Sequence, residues 1–230
     1  MRGHVEVSVI ICSCNRAEHL RQTLQSLAQV DVPAGLRAEL IVVDNASKDQ
    51  TPQLLRSWSM PNMVYRPMHE PRRGKSHAIN TALHQAKGTA ILFSDDDVRF
   101  PANWLVEMSR PILEGTAHAV AGGVKLAPHL VQPWMQRLHR ELMASTEYLD
   151  PARAGVMIGA NMAFHRCVLD QVEGYDVELG PGVLAASDDV LFSWQVREAG
   201  YDILPRIEIA VEHHFDASRL DRSAMLKRAE

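Results

Sequence analysis

The chain has 230 residues and a formal net charge of −4, with 46% hydrophobic and 23% charged residues. These proportions are typical of a folded globular protein, and the slight negative charge gives no reason to expect nucleic acid as a partner. The 3 cysteines fit neither a disulfide framework nor zinc-finger spacing, so a reducing compartment, the cytoplasm, is expected. No apolar run approaches the roughly 20 residues that a membrane span requires.

The first half of the chain alternates strand and helix signals. Runs rich in β-branched residues predict strands over residues 5–12, 39–44, 63–66 and 89–94. Apolar spacing predicts helices over residues 18–30, 51–58 and 75–86, with Thr51 as the N-cap of the second. This alternation predicts an α/β, Rossmann-like fold, in which helices cover both faces of a mainly parallel central sheet.

The second half is less regular. Strands are predicted over residues 117–124 and 156–164, and in two later pieces over 202–205 and 207–214. Helices are predicted over residues 166–172, 188–199 and 218–229. Gly180, Pro181 and Gly182 predict a turn or a loop over a bound substrate. No repeat or linker interrupts the pattern, so residues 1–230 are predicted to form one domain.

Polar side chains follow three of the predicted parallel strands. Ser-Cys-Asn-Arg follows the first strand, the second ends at Asp44, and Asp95, Asp96 and Asp97 follow the strand over residues 89–94. Open parallel sheets bind ligands beyond the carboxyl ends of their strands, so these groups are expected to meet. Carboxylates suit Mg²⁺ or Mn²⁺, and Asp95 and Asp97 lie on the same side of an extended chain. A solvated acidic turn remains the alternative on these residues alone.

The common nucleotide-binding motifs are absent from the sequence. Gly74-Lys75-Ser76 matches the end of a P-loop, but His69 occupies the position of the P-loop's first glycine. No glycine-rich dinucleotide fingerprint follows the first strand, and no serine nucleophile elbow is present. Nucleotide binding without these motifs remains possible through aspartates, a metal ion and a few basic side chains.

Eight segments, in order along the chain, resemble the motifs of glycosyltransferase family 2, whose members have the GT-A fold: SVIICSCNR, LIVVDNASKDQT, GKSHAIN, ILFSDDDVRFPANW, GANMAFHR, GYDVELGPG, SDDVLFSWQVREAG and VEHHFDASRLDR. The resemblance implies an inverting transferase that moves a sugar from a nucleoside-diphosphate sugar, in the first instance a UDP-sugar, to a hydroxyl acceptor. The implied acceptor is a glycan or a lipid-linked saccharide, and the implied cofactor is Mn²⁺ or Mg²⁺. Residues 1–124 would form the nucleotide-sugar-binding half and residues 125–230 the acceptor-binding half.

The same resemblance implies roles for individual residues. Asp189 stands where the family has its catalytic base, and the neighbouring Asp188 is the alternative. The implied metal ligands are Asp97, Asp95 and His213. The implied contacts to the nucleotide sugar are Ser13, Cys14, Arg16, Asp44, Asn45, Lys75, Asn80, Asp95 and Asp96.

Departures from the family pattern keep other functions open. Cys14 replaces an aromatic residue, so a stacking contact on the nucleobase is missing. The signature of processive synthases is absent after Gln195. A catalytically degenerate nucleotide-sugar-binding or scaffold protein and a sugar-phosphate nucleotidyltransferase remain alternatives, although the latter needs a glycine-rich basic loop after the first strand. The basic and apolar residues of segment 218–229 leave a peripheral contact with the inner face of a membrane open.

Overall fold

The structure is a computed structural model that describes residues 4–150, 155–181 and 188–229, with side chains to residue 226. Gly182 and the side chains of Lys227 and Arg228, to which two of the sequence predictions refer, lie outside the described residues. Among the described residues, no helix combines the length and the apolar character needed to cross a bilayer.

Strands and helices alternate through the first part of the chain. The strands are β1 (Val7–Ser13), β2 (Ala38–Asp44), β3 (Val64–His69), β4 (Ala90–Ser94), β5 (Val98–Arg99), β6 (Ala119–Leu126), β7 (Asn161–His165) and β8 (Ile203–His213). The α-helices are α1 (Ala17–Leu27), α2 (Thr51–Ser57), α3 (Lys75–Gln85), α4 (Trp104–Leu113), α5 (Arg137–Glu141), α6 (Asp188–Glu198) and α7 (Arg222–Ala229).

All of these strands belong to one sheet, in the order β3-β2-β1-β4-β7-β6-β8-β5. β3, β2, β1 and β4 run parallel, as the sequence predicts. β7 is antiparallel to both of its neighbours, β4 and β6, whereas β8 is parallel to β6. The predicted boundary between the two halves, after residue 124, falls inside β6, so one continuous sheet runs through both halves.

Helices cover both faces of the sheet, and β1 is therefore buried on both of its faces. Val7, Val9 and Ile11 point to the face that α1, α2 and α4 cover. Ile10 points to the opposite face, which α3 and α6 cover. A strand buried on both faces carries apolar side chains on both, which agrees with the β-branched residues that predict this strand.

Several element boundaries differ from the predictions for a local reason. Thr51 is the first helical residue rather than the N-cap of α2, because Asp49 Oδ1 accepts a hydrogen bond from Thr51 N at 2.9 Å. The strand predicted from residue 156 begins only at Asn161, after a turn in which Ile158 and Asn161 form an isolated bridge.

Toward the C-terminus, two predicted strands are joined and one predicted helix is divided. The pieces over 202–205 and 207–214 form the single strand β8, whose register shifts opposite Gly122 and Gly123. The helix predicted over 218–229 is a 3-10 turn, Ala217–Leu220, followed by α7. Residues 166–172 also contain a 3-10 turn, Arg166–Asp170, and no α-helix.

A buried polar cluster centred on Asn161 ties β6, β7, β8 and α4 together. The Asn161 amide donates to the carbonyls of Gly123 and Ile209 at 2.8 and 2.7 Å, and its Oδ1 accepts from Trp104 Nε1 at 2.8 Å. A Cβ on Gly122 would lie only 2.3 Å from the Asn161 amide nitrogen, so this position requires glycine. Two residues of the family motifs, Trp104 and Asn161, therefore act in folding.

Candidate functional site

The carboxyl ends of β1, β2 and β4 meet at one edge of the sheet, as the sequence predicts. Ser13 at the end of β1 pairs with Asp44 at the end of β2, and Ile11 pairs with Ser94 at the end of β4. The three aspartates begin immediately after Ser94. The ends of three parallel strands thus bring their acidic and hydroxyl groups to a single region.

Asp97 is the most deeply buried member of the triplet and lies beside two arginines and a histidine. Arg16 Nη2 donates to its Oδ2 at 2.5 Å, and Arg219 Nη1 lies 3.7 Å from the same oxygen. His213 Nε2 lies 3.4 Å from Oδ1. Burial alone would raise the pKa of Asp97, but His213, Arg16 and Arg219 together hold that pKa well below its ordinary value. Asp97 is therefore a carboxylate at neutral pH.

Asp96 faces β1 and α1. Its Oδ2 accepts from Ser13 Oγ at 2.6 Å, its Oδ1 lies 3.3 Å from Arg16 Nε, and its carbonyl accepts from Thr23 Oγ1 at 2.7 Å. Burial raises the pKa of Asp96 to about 7, although Arg16 acts in the opposite direction. Cations from distant parts of the chain, Arg16, Lys75 and Arg219, thus balance much of the charge of the triplet.

The structure places two of the predicted metal ligands, Asp97 and His213, side by side, and a carboxylate with an imidazole is a donor set that suits a divalent cation. A proton on His213 Nδ1 donates to the Met143 carbonyl at 3.0 Å, which leaves Nε2 to face Asp97. Among the described residues, no three His, Cys, Asp or Glu side chains are close enough to hold an ion together. Asp95, the third predicted ligand, is instead paired with Lys75. A cation at Asp97 would need further oxygen ligands from water or a bound diphosphate.

Asp44 occupies the end of β2 and is almost fully buried. Its Oδ1 accepts from Ser47 N at 3.1 Å, and its Oδ2 lies 2.9 Å from His69 Nδ1. His69 is placed opposite Asp44 by the parallel register of β2 and β3, and most of its side chain is exposed. Sequence reasoning missed His69, because its only signal is a strand register that is not visible before the fold is known.

Asn45 holds the loop between β3 and α3. Its Nδ2 donates to the carbonyls of Glu70 and Arg72 at 3.2 and 2.6 Å, and its Oδ1 accepts from Gly74 N at 3.0 Å. These bonds orient the chain just before Lys75. Asn45 thus supports the pocket through the backbone, and a direct contact to a nucleotide stays a prediction.

Asn80, a residue of α3, also binds the backbone of a neighbouring segment. Its Nδ2 donates to the Tyr175 carbonyl at 2.7 Å, and its Oδ1 accepts from Tyr175 N at 2.9 Å. Gly174 precedes this clamp with φ of 109°, and a Cβ there would lie 2.8 Å from Asn80 Oδ1. Asn80 therefore fixes the GYD segment against α3. Cys14, the first residue after β1, is exposed.

Asp188 and Asp189 begin α6, where the helix dipole favours negative charge. Asp189 Oδ2 accepts from Gly159 N at 2.9 Å, and its Oδ1 accepts from Val190 N at 2.9 Å. Burial raises the pKa of Asp189 above its ordinary value, which makes the carboxylate a stronger base. Asp188 is buried and lines a small cavity with Lys75 and Gly159.

Lys75 connects the acidic triplet to the acidic pair. It begins α3 and forms an ion pair with Asp95. Burial would lower the pKa of Lys75, but Asp95, Asp188 and Asp189 raise it above its ordinary value. The ammonium group is therefore charged and lies among three carboxylates from two separate segments. The structure thus brings the acidic triplet and the acidic pair together around Lys75 and Arg16, whereas Asp44 lies apart from both, beside His69.

Comparison with known proteins identifies relatives of the chain. Residues 8–172 match the sequence profile of Glycosyl transferase family 2. The succinoglycan biosynthesis protein ExoM of Rhizobium meliloti is 32% identical over 125 residues, which are 53% of this chain and 39% of ExoM. The glycosyltransferase AglE of Haloferax volcanii is 30% identical over 118 residues, 51% of this chain and 38% of AglE. The chain therefore spans less than half the length of these curated relatives.

Solved structures share the fold across nearly the whole chain. The mannosyltransferase PcManGT from Pyrobaculum calidifontis superposes with a TM-score of 0.71 and 25% identity, covering 94% of this chain and 58% of that one. S. aureus TarS 1-349 gives a TM-score of 0.68 with 21% identity and covers 96% of this chain and 63% of that one. The likeness extends past residue 172, where Asp189 and His213 lie. With its profile match over most of the sequence and its GT-A fold, the chain belongs to glycosyl transferase family 2.

Proposed function

We propose that the protein transfers a sugar from a nucleoside-diphosphate sugar to a hydroxyl acceptor in one displacement, with inversion at the anomeric carbon. The observation that carries the proposal is the placement of Lys75 between Asp95 of the triplet and the Asp188–Asp189 pair. The reaction needs one site that holds the donor diphosphate and a second, neighbouring site with a base for the acceptor, and the triplet and the acidic pair can supply these two sites. A UDP-sugar is the first donor to test, and a glycan or a lipid-linked saccharide is the expected class of acceptor.

The donor half of the site is assigned from its charges. The Asp44 carboxylate, held by Ser47 N, is suited to accept hydrogen bonds from a nucleobase or a ribose hydroxyl. Arg16 and Lys75 supply the positive charge that a diphosphate requires. Asp97 and His213 would hold Mn²⁺ or Mg²⁺, which when bound stabilises the negative charge that grows on the leaving diphosphate.

The acceptor half is assigned to Asp189. The acceptor oxygen forms a bond to the anomeric carbon, the bond from that carbon to the diphosphate oxygen breaks, and the diphosphate leaves with the electron pair. The acceptor proton passes to the Asp189 carboxylate, whose raised pKa suits general base catalysis. Inversion follows if Asp189 and the diphosphate lie on opposite sides of the anomeric carbon.

Two relatives support this reading of the donor. PcManGT was solved in complex with GDP-Man and Mn²⁺. A second relative, 33% identical over 94 residues, is the poly(ribitol-phosphate) β-N-acetylglucosaminyltransferase TarS of Staphylococcus aureus. Both act on sugars, which favours a nucleotide sugar and a divalent cation for this chain, and they leave the nucleotide itself to experiment.

Calorimetric titration with UDP, GDP, CDP and dTDP, each with Mn²⁺ and with EDTA, tests the proposal. We expect tight binding of one nucleotide in the presence of Mn²⁺ and weaker binding in EDTA. Incubation with the matching nucleotide sugars and NMR of the products then shows turnover and the anomeric configuration. Binding without turnover would favour a scaffold protein. Release of pyrophosphate from a nucleoside triphosphate and a sugar phosphate would favour a nucleotidyltransferase.

A peripheral membrane contact is proposed for the C-terminal segment, at the cytoplasmic face. Leu220 and Met225 pack on the apolar cluster around Phe215. Leu226, which follows Met225 in α7, is exposed, and Leu138 of α5 is a second exposed leucine. Co-sedimentation with vesicles that contain anionic lipid, compared with neutral vesicles, tests this contact. Equal and negligible binding to both would contradict it.

A further inference from the structure

Gly159 lies between the two groups that would act on an acceptor. A Cβ built on Gly159 would lie 3.5 Å from Lys75 Nζ and 3.7 Å from Asp189 Oδ2. The Gly159 amide already donates to the same Asp189 oxygen at 2.9 Å. The missing side chain therefore leaves a gap, bounded by an ammonium group and a carboxylate, that is about the size of one methyl group.

This glycine is not required by the backbone. Its φ is not among the positive values found at other glycines, and all the contacts of an added Cβ are at ordinary van der Waals distance. In contrast, a Cβ at Gly122 or Gly123 would collide with its neighbours at 2.3 and 2.0 Å. Alanine would fit at position 159 without strain, so folding alone does not explain the glycine.

The gap is open to an incoming molecule. Gly159 and Asp189 are partly exposed, and the side chains of Lys75 and Asp95 are about a quarter exposed, at 25% and 26%. The small cavity beside it is lined by Gly159, Lys75, Asp188, Ser94, Cys12 and Tyr175. An oxygen at the position of the missing Cβ needs to move by less than about 1 Å to reach hydrogen-bond distance of either charged group.

We infer that the gap over Gly159 receives the acceptor oxygen, and that the absence of a side chain at position 159 lets an alcohol, rather than water alone, accept the sugar. This inference rests on the proposed function. Asp189 Oδ2 uses one lone pair for the Gly159 amide, and its second can take the acceptor proton. The oxygen then bonds to the anomeric carbon as the diphosphate departs with the electron pair of the broken bond. Gly159 makes room for the reacting oxygen and neither gives nor takes the proton that is transferred, so it is a specificity-determining position.

The substitution Gly159→Ala should affect transfer to an alcohol and transfer to water differently. An alcohol brings a carbon substituent and needs the gap, whereas water has none and can approach Asp189 from another direction. The experiment uses glycerol at molar concentration as the probe acceptor, with the nucleotide sugar selected by calorimetry, and NMR to quantify glycosylglycerol and free sugar. We expect the ratio of glycosylglycerol to free sugar to fall by about 10²-fold in the variant, as for a reacting group displaced by about 1 Å. Nucleoside-diphosphate affinity and thermal unfolding should be unchanged.

The outcomes separate this inference from the proposed function. Asp189→Asn is the matched comparison, because loss of the base should lower both products together. An unchanged product ratio in Gly159→Ala, or an equal fall of both products, overturns the inference and leaves the proposed function standing. Free sugar without any glycosylglycerol from the wild-type protein also overturns it. A wild-type protein that binds no nucleotide and cleaves no donor removes the proposed function, and the inference falls with it.

Discussion

Replacing Asp189 by asparagine tests the base with little change in shape. The two carboxylate oxygens accept one backbone N–H each, from Gly159 and Val190, at 2.9 Å. An asparagine side chain has one acceptor oxygen, so one of these N–H groups must lose its partner. An unsatisfied buried donor costs about 1–3 kcal/mol of folding free energy, and these partly exposed donors should cost less because water can replace the lost partner. A general base contributes about 10²–10⁴-fold to the rate, so turnover should fall by that factor while the protein stays folded.

The assay measures product formation at saturating donor, nucleotide affinity by calorimetry, and stability by urea unfolding. We expect unchanged nucleotide affinity, a modest loss of stability and a large loss of turnover. Asp188→Asn is the control, since Asp188 is the adjacent carboxylate at the start of α6. Turnover within about threefold of the wild type in Asp189→Asn would refute the assignment, because a general base contributes far more than that. A severe loss in Asp188→Asn alone would transfer the role to Asp188.

The pH profile tests the same carboxylate independently. Burial raises the pKa of Asp189, so the proton is held to a higher pH than on an ordinary aspartate. The base acts only when deprotonated, and kcat/KM should therefore increase with pH through that raised pKa, above the ordinary value of about 3.9. Loss of this acidic limb in Asp189→Asn would assign it to the residue, and its persistence would assign it to another group.

Three further substitutions test the donor site and the fold. Asp97→Asn should weaken Mn²⁺-dependent nucleotide binding on the order of tenfold or more, and an unchanged Mn²⁺ dependence in calorimetry would remove Asp97 as a ligand. Asp44→Ala should weaken nucleotide binding by about 1.5–3 kcal/mol, the value of a charged hydrogen bond, with or without Mn²⁺; equal affinity would exclude Asp44 from the pocket. Asn161→Leu leaves Trp104 Nε1 and two carbonyls unpaired, so urea unfolding should show a loss on the order of 3–6 kcal/mol. A stability equal to that of the wild type would contradict the role given to Asn161.

Most of the proposed donor side could be predicted from the sequence, because local patterns determine where its residues lie. β1, β2 and β4 are apolar runs with abrupt polar ends, and their parallel pairing follows from the intervening helices. The meeting of Ser13, Asp44 and the triplet then follows from the topology. The helix α3 begins at Lys75, as predicted, so the position of this cation at the site could also be anticipated.

The rest depends on contacts between residues far apart in sequence. No local signal shows that Arg219 approaches Asp97, or that His69 faces Asp44, because both contacts arise from the path of the whole chain. The sequence does not show whether Asn45 and Asn80 contact a ligand or hold the backbone. Only the folded structure shows that both side chains form hydrogen bonds to the main chain.

The antiparallel strand β7 determines how the two sides of the site are aligned. Ser94, just before the triplet, pairs with Asn161, two residues after Gly159, and Ser94 Oγ donates to the Ala160 carbonyl at 2.7 Å. The pairing of β4 with β7 thus fixes the distance from Asp95 to the Gly159–Ala160 segment, which contacts Asp189. A register shift of one residue would move that segment by about 3.3 Å and turn the side chains of β7 to the opposite face. The register of β4 and β7 therefore fixes the position of the proposed donor site relative to the proposed acceptor site, and the hydrogen bonds of Asn161 hold that register.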